Sequence, residues 1–215
     1  MFRLFVLLSI FSYSSNAFLL VAGTRRVVKQ LSVTNGGPSG SWKTAEFCPV
    51  GYYAVGFNVK VEPKSSSGIF ADNTALNSIS LRCKDGSRIT SGEGAFGNWY
   101  TEASCGNMNG IPYFLTSFDL QVEPDQGAAD DSSANWIRFK CRDFDTDDTF
   151  SHQLDVSPGK FYWGTYGSWS GSCPLHSAIC GIQTRVEEAR SSVFYGNTAL
   201  NDVKFFCCDE KRLSF

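Results

Sequence analysis

The chain has 215 residues, of which 42% are hydrophobic and 19% are charged. This composition is typical of a folded domain with a sizeable core and excludes a disordered or fibrous chain. The 19 basic and 21 acidic residues give a net charge of −2 without a basic run, which disfavours a protein that binds nucleic-acid phosphates, so we expect no nucleic-acid partner.

The first predicted element is a secretory signal peptide over residues 1–17. Arg3 precedes the apolar run from Leu4 to Phe11, and Ser15-Asn16-Ala17 supplies the small residues of a cleavage site. A buried N-terminal helix is the other interpretation. The run is too short for a stable transmembrane anchor, so we expect a secreted, extracellular protein. In that compartment the eight cysteines are expected to form disulfides, and we expect no cofactor and no metal.

Three copies of one unit follow the signal peptide. Each copy has a Gly-x-Trp motif, a cysteine, an apolar run ending in Val-Glu, a polar loop, an asparagine and a second cysteine. The motifs are Gly40-Ser41-Trp42, Gly97-Asn98-Trp99 and Gly167-Ser168-Trp169. We place the repeats at about 28–85, 86–145 and 155–209 within a single domain spanning 18–215.

Hydrophobic and polar residues alternate within each unit. Phe57, Val59 and Val61 alternate with Asn58 and Lys60, which is typical of a strand with one buried face. A small sheet with one apolar face is not stable alone in water. Three such faces can bury one another around an axis. The sequence therefore predicts an all-β, three-sided prism of antiparallel sheets with internal pseudo-threefold symmetry, and an open β-sandwich is the alternative.

The repeat also predicts how the cysteines pair. Equivalent positions give Cys48–Cys83 and Cys105–Cys141. The third unit holds four cysteines, and the adjacent Cys207 and Cys208 must pair separately because they point to opposite faces of a strand. Repeat position favours Cys173–Cys207 with Cys180–Cys208, and the exchanged pairing stays open. A zinc site at Cys173 and His176 is a further alternative.

Several long segments resemble the vitelline membrane outer layer protein I family. They include Gly51-Tyr52-Tyr53-Ala54-Val55-Gly56-Phe57, Lys60-Val61-Glu62-Pro63, Asn73-Thr74-Ala75-Leu76-Asn77, and the stretch from Asn197-Thr198-Ala199-Leu200-Asn201 to Cys207-Cys208-Asp209. The resemblance runs from about Val28 to Asp209. It implies a β-prism of three Greek-key sheets with four disulfides, a role in egg coats or other secreted barrier layers, and an activity towards N-acetylglucosamine oligomers.

The second unit departs from the shared pattern. It reads Asp131-Ser132-Ser133-Ala134-Asn135-Trp136 where the other two read Asn-Thr-Ala-Leu-Asn, and its connection to Gly167 is twice as long as the one from Cys83 to Gly97. We therefore expect any ligand site to break the threefold symmetry.

Carboxylates at equivalent positions are the candidate catalytic residues. Glycoside chemistry needs two carboxyl groups facing each other, and the candidates are Glu62, Glu123, Glu187, Asp72 and Asp131. Charged residues at strand ends, next to turns, are the other interpretation. The acidic run Asp143–Asp148 lacks the glycine and glutamate of an EF-hand, which leaves a solvated loop or a looser calcium site.

Aromatic residues are the candidate ligand-binding groups. Core packing is the favoured interpretation of Trp42, Trp99 and Trp169, with sugar stacking as the alternative. Trp163, with Tyr162 and Tyr166, lies in the unique connection and is the better candidate platform. We expect Asn77, Asn135 and Asn201 to satisfy backbone groups of turns.

Two hypotheses for the function follow. The first is a secreted structural or glycan-binding component of an extracellular coat, with glycans or glycoproteins as partners. The alternative is an enzyme that transfers or cleaves N-acetylglucosamine oligomers with a carboxylate pair. No Ser nucleophile motif supports a serine hydrolase.

Overall fold

The computed structural model describes residues 25–64, 74–124, 132–189 and 198–210, so the predicted signal peptide lies outside the described part. Strands dominate these residues, with one short 3-10 turn at Asp148–Phe150. The strands are β1 (Val27–Leu31), β2 (Ser41–Trp42), β3 (Glu46–Phe47), β4 (Ala54–Val61), β5 (Leu76–Cys83), β6 (Arg88–Ile89), β7 (Asn98–Trp99), β8 (Ala103–Ser104), β9 (Asn107–Met108), β10 (Ile111–Pro112), β11 (Phe114–Val122), β12 (Ala134–Arg142), β13 (His152–Leu154), β14 (Thr165–Tyr166), β15 (Ser177–Val186) and β16 (Leu200–Asp209).

Three long antiparallel hairpins form the frame of the molecule. We call the sheets built on them the first sheet (β4 and β5), the second sheet (β11 and β12) and the third sheet (β15 and β16). Phe57 lies opposite Leu81, and Phe118 lies opposite Phe139, all fully buried. Because side chains alternate along a strand, each sheet has one apolar face.

Short edge strands complete each sheet on both sides of its hairpin. The strand orders are β6-β5-β4-β7 in the first sheet, β13-β12-β11-β14 in the second and β1-β16-β15-β2 in the third; β8 also pairs with β4, and β3 with β15. The chain crosses from one edge of each sheet to the other. The third sheet thus joins the N-terminal strands to the C-terminal hairpin.

Phenylalanine rings from all three sheets meet in the core. Phe57 of the first sheet lies 4.6 Å from Phe139 of the second, measured between ring centroids. Phe205 of the third sheet lies 5.1 Å from Phe139 and 4.8 Å from Phe118. The three apolar faces therefore bury one another, and the fold is the predicted all-β prism with pseudo-threefold symmetry.

Three of the four disulfides join neighbouring sheets. Cys48, whose amide bonds to the third sheet, pairs with Cys83 of the first sheet. The equivalent bridges are Cys105–Cys141, from the first sheet to the second, and Cys173–Cys207, from the second to the third. The fourth, Cys180–Cys208, lies within the hairpin of the third sheet. The cystines therefore link the three sides of the prism in a ring.

The prediction that Gly167-Ser168-Trp169 is the third copy of the Gly-x-Trp motif is wrong. Gly40, Gly97 and Gly164 share a positive φ, and a Cβ on any of them would lie within 2.5 Å of backbone atoms at the end of a long strand. The residues two places later, Trp42, Trp99 and Tyr166, pair with equivalent positions of β15, β4 and β11. The third copy is therefore Gly164-Thr165-Tyr166, because the close approach of the glycine backbone sets the register.

Candidate functional site

The three predicted glutamates lie at equivalent ends of the long hairpins. The Glu62 carboxylate accepts hydrogen bonds from the Thr74 amide at 3.0 Å and the Thr74 hydroxyl at 2.7 Å. The same hydroxyl bond joins Ser132 to Glu123 at 2.6 Å and Thr198 to Glu187 at 2.7 Å. We call these three arrangements the hairpin clamps, because each fastens the two strands of one hairpin at its end.

Asparagines complete the clamps. The side-chain amide of Asn77 donates to the Thr74 hydroxyl at 2.6 Å and to the Ala75 carbonyl at 3.1 Å. The side chains of Asn135 and Asn201 make the equivalent bonds. Three residues within the clamps have positive φ, and each of their carbonyls accepts both from the asparagine side chain and from the backbone amide of the clamp glutamate: Ala75, Ser133 and Ala199. The asparagines thus satisfy turn groups, as expected for this residue type.

These contacts give the glutamates a structural task. Glycosidases place two carboxyl groups across a gap that holds the sugar. Here, each carboxylate is engaged by a hydroxyl of its own hairpin. The other two candidate catalytic residues, Asp72 and Asp131, lie outside the described residues.

An exposed aromatic group lies between β13 and β14, where the chain crosses from one edge of the second sheet to the other. We call this segment the crossing connection of the second sheet. Tyr162 is 69% exposed, and its ring centroid lies 5.9 Å from that of the half-buried Trp163. The Lys64 ammonium, which follows β4 of the first sheet, lies 5.6 Å from the Trp163 ring and 5.9 Å from the Tyr162 ring. We call the Tyr162 and Trp163 rings, with Lys64, the aromatic platform.

Buried residues hold the platform in place. Phe161 stacks on Trp136 with centroids 5.9 Å apart and planes within 6°. The Gln121 amide donates to the Phe161 carbonyl at 3.0 Å and the Trp163 carbonyl at 2.7 Å, and its oxygen accepts from the Phe161 amide at 2.9 Å. Both Gln121 and Trp136 are buried. The platform therefore rests on a fixed base.

The equivalent positions in the other two sheets carry no pair of aromatic rings, and the first sheet has the single ring of Phe96. Since Gly164 matches Gly97 and Gly40, the platform residues match Ala95-Phe96 and Pro38-Ser39. Trp136 matches Ser78 and Asp202 in strand register. The fold itself does not require the aromatic base, because the first sheet closes the same connection with a hydrogen bond from Ser78 to the Gly92 carbonyl.

Tyr166 has a different environment from Tyr162 and Trp163. Its hydroxyl donates to the Gly159 carbonyl at 2.7 Å, and the Arg138 guanidinium lies 4.0 Å from its ring centroid. Burial, reinforced by the Asp155 carboxylate, raises the pKa of the Tyr166 phenol. Arg138 in turn forms an ion pair with the buried Asp119 at 2.8 Å. These contacts hold the Tyr166 side chain at the edge of the second sheet.

The expectation that the recurring tryptophans pack in the core was wrong. Trp99 is 40% exposed, while Lys204 covers the Trp42 ring at 4.1 Å and Lys140 covers the Trp169 ring at 4.8 Å. Trp42 and Trp99 belong to edge strands, and all three rings lie outside the buried core. Cationic side chains therefore neighbour the rings of Trp42 and Trp169.

The acidic run folds as a set of hydrogen-bonded turns. Asp143 accepts from the Thr146 amide at 2.7 Å and hydroxyl at 2.8 Å, and Asp147 caps the 3-10 turn. Burial acts to raise the pKa of Asp143, but the bonds from Thr146 and Asp145 together lower it.

No cluster of three metal-ligating side chains occurs among the described residues. Cys173 is in a disulfide, so it has no thiolate to offer a zinc ion beside His176.

Comparison with known proteins gives the family. Residues 29–210 match the vitelline membrane outer layer protein I (VOMI) family. A vitelline membrane outer layer protein 1 homolog from Mus musculus is 39% identical over 212 residues, which cover 96% of each chain. The Homo sapiens homolog is 39% identical over 184 residues, 83% of this chain and 82% of that one. The chain belongs to the VOMI family.

Two solved structures also resemble this VOMI chain. Calystegia sepium agglutinin gives a TM-score of 0.48 at 13% identity, covering 83% of this chain and 95% of the agglutinin. The artocarpin–mannopentose complex gives 0.47 at 11% identity, covering 86% and 98%. No helix in the described ranges is long and apolar enough to cross a membrane.

Sequence reasoning named the two rings of the platform but neither Lys64 nor the buried base. Trp163 and Tyr162 stood out as part of an aromatic run in a unique connection. Trp136 had a signal, the departure of the second unit from the shared pattern, whereas Gln121 and Lys64 had none. Their roles depend on strand register and on contact between two sheets.

Proposed function

We propose that this VOMI chain is a secreted component of an extracellular coat of the egg-outer-layer type, and that it binds saccharides at the aromatic platform. The name of its family and relatives, an outer layer of the vitelline membrane, supports the coat role. Four disulfides and the absence of free cysteine among the described residues suit an oxidising compartment.

The observation that carries the binding site is the platform's occurrence at one of three equivalent positions. Exposed aromatic faces stack on the apolar face of a sugar ring, and neighbouring donors bind its hydroxyl groups. Tyr162 and Trp163 supply the faces, and Lys64 supplies a donor beside both rings. Gln121 and Trp136 fix the backbone beforehand, which lowers the entropic cost of binding.

The test is a calorimetric titration with N-acetylglucosamine oligomers. Trp163→Ala and Tyr162→Ala should each weaken binding by roughly tenfold or more, because each removes a stacking face. Phe96→Ala is the matched control, since it removes a partly exposed aromatic ring at the position equivalent to Trp163. It should leave binding unchanged.

The outcomes separate the proposal from the alternatives. Equal weakening by Phe96→Ala and Trp163→Ala, or no effect of either, would place binding elsewhere. Mass spectrometry of the same mixtures checks for new oligomer lengths. Products that vanish in Glu62→Gln, Glu123→Gln or Glu187→Gln would overturn the coat role in favour of an enzyme.

A further inference from the structure

A small two-stranded hairpin lies in the chain between β8 of the first sheet and β11 of the second sheet. Strands β9 and β10 pair Met108 with Ile111, which are 52% and 51% exposed. Its two-residue tip is Asn109-Gly110, with φ values of 52° and 81°. Positive φ at both positions is the geometry for which Asn-Gly is favoured in two-residue hairpins. Both tip residues are exposed, and a Cβ on Gly110 would meet nothing within 4 Å.

We propose that Asn109 is a site of spontaneous deamidation. The Gly110 amide nitrogen loses its proton to water or hydroxide and attacks the Asn109 side-chain carbonyl carbon. A carbon–nitrogen bond forms, the side-chain nitrogen takes up a proton from water as its bond to carbon breaks, and ammonia leaves to give a cyclic imide. Water then opens the imide at either carbonyl, which yields aspartate or isoaspartate. The step needs no oxidant or reductant, and a missing side chain on the next residue gives the nitrogen access.

A second Asn-Gly pair in the same chain shows why the structure matters. The Asn35 amide donates to the Leu120 carbonyl of the second sheet at 2.8 Å, and its side-chain oxygen is buried. A Cβ on Gly36 would lie 2.3 Å from the Asp202 carboxylate. Rotating this backbone to the attacking geometry requires the loss of packing between two sheets. Opening the exposed β9–β10 tip requires far less.

Deamidation would change the hairpin in two ways. Either product places a negative charge between the exposed Met108 and Ile111. Isoaspartate also adds a methylene group to the backbone, which is incompatible with the register of a two-residue turn. The tip would therefore alter with the age of the protein while the prism stays intact.

The test is incubation of the disulfide-bonded protein at neutral pH in ¹⁸O-labelled water, followed by peptide mapping. Asn109 should convert at least roughly tenfold faster than Asn35, which corresponds to a small difference in opening free energy. In the reduced, urea-unfolded chain, the two rates should converge. Equal rates in the folded protein, faster loss at Asn35, or a difference that persists after unfolding would each overturn the proposal.

Gly110→Asn is the matched control variant. Asparagine tolerates positive φ and its side chain points into open space, so the hairpin should be kept. The added side chain hinders attack by the residue 110 nitrogen. Conversion at Asn109 should fall while the rate at Asn35 stays unchanged; an unchanged rate at Asn109 would contradict the mechanism.

Discussion

Buried polar side chains determine how each long hairpin ends. Thr74 and Asn77 are fully buried, and the Thr74 hydroxyl both donates to Glu62 and accepts from Asn77. A buried polar group without a partner costs more free energy than a hydrogen bond contributes. The hydrogen bonds of the clamps therefore account for the recurrence of these residues in all three sheets.

Thr74→Val should destabilise the protein by about 1–3 kcal/mol, because it leaves the Asn77 amide and the Glu62 carboxylate each without one partner. The measurement is urea unfolding with the disulfides intact. Thr101→Val, at an exposed position, is the control and should change the free energy of unfolding by less than about 0.5 kcal/mol. Equal effects of the two substitutions would contradict the role of the clamp.

Substituting two different aspartates by asparagine should change the free energy of unfolding in opposite directions at neutral pH. Burial raises the pKa of Asp202, although the hydrogen bond from the Val203 backbone amide partly offsets this effect. The charged carboxylate therefore lowers the free energy of unfolding at pH values above its folded pKa. Asp202→Asn should therefore be more stable than the natural protein at neutral pH, and this gain should vanish in acid, below about pH 4. The Asn oxygen still accepts from the Val203 amide. Unfolding free energies measured against pH test this.

Asp143→Asn serves as the opposite case in the same experiment. Because hydrogen bonds outweigh burial and lower the pKa of Asp143, its carboxylate contributes stability that is lost as the pH falls through the folded pKa. Asp143→Asn should be less stable than the natural protein at neutral pH, with a deficit that shrinks in acid. A deficit that grows in acid would show that the sign is wrong.

At the scale of elements, the crossing connection of the second sheet differs most from its two counterparts. Its longer chain brings Phe161 onto Trp136, and Gln121 bonds the backbone on both sides of Tyr162. The first sheet closes its shorter connection through Ser78 and Gly92. The equivalent connection is thus held by a hydrogen bond from Ser78 in the first sheet and by an aromatic base in the second.

Gln121→Ala should loosen this connection without opening the hairpin beneath it. The substitution leaves the Phe161 amide and the Phe161 and Trp163 carbonyls without this partner, so amide exchange at Phe161 should become faster. Exchange within β11 and β12 should stay slow. Gln153→Ala, which removes an exposed bond to Asp155, is the control. Unchanged exchange at Phe161 would contradict the role of Gln121.

The sequence predicted much at this scale, for identifiable reasons. Alternation such as that from Phe57 to Val61 is sufficient to predict a strand with one buried face, because strand side chains repeat every two residues. The predicted position of the third Gly-x-Trp motif was wrong because Tyr166, not a tryptophan, stands at the equivalent position. The nearby Gly167-Ser168-Trp169 has the same form as the motif without its structural role. The partners of Gln121 were beyond prediction because they are backbone atoms some forty residues away.

For the whole molecule, covalent links between sheets follow the same threefold order as the core. Cys48–Cys83, Cys105–Cys141 and Cys173–Cys207 each join one sheet to the next. The third sheet also depends on β1, so the prism closes only when both ends of the described chain are in place. These links suit the role in an extracellular coat that we propose.

Replacing both Cys105 and Cys141 by alanine should lower the free energy of unfolding by about 3–4 kcal/mol. The reason is that their disulfide closes a long loop and thereby restricts the unfolded chain. Denaturant unfolding of the double variant measures the loss. The control is Ser87→Ala, which removes one exposed hydrogen bond to Asp85 in a surface turn and should have a small effect. A double variant as stable as the natural protein would contradict the role of the ring of cystines.

The indole N–H spectrum of the five tryptophans tests the proposed binding site most directly. Each tryptophan gives one signal, assigned by replacing it singly with phenylalanine, and the spectrum is followed during titration with N-acetylglucosamine oligomers. The Trp163 signal should shift in a saturable way, while those of Trp42 and Trp99 stay fixed. A titration in which Trp163 stays fixed while Trp42 or Trp99 shifts would contradict a binding site on the aromatic platform.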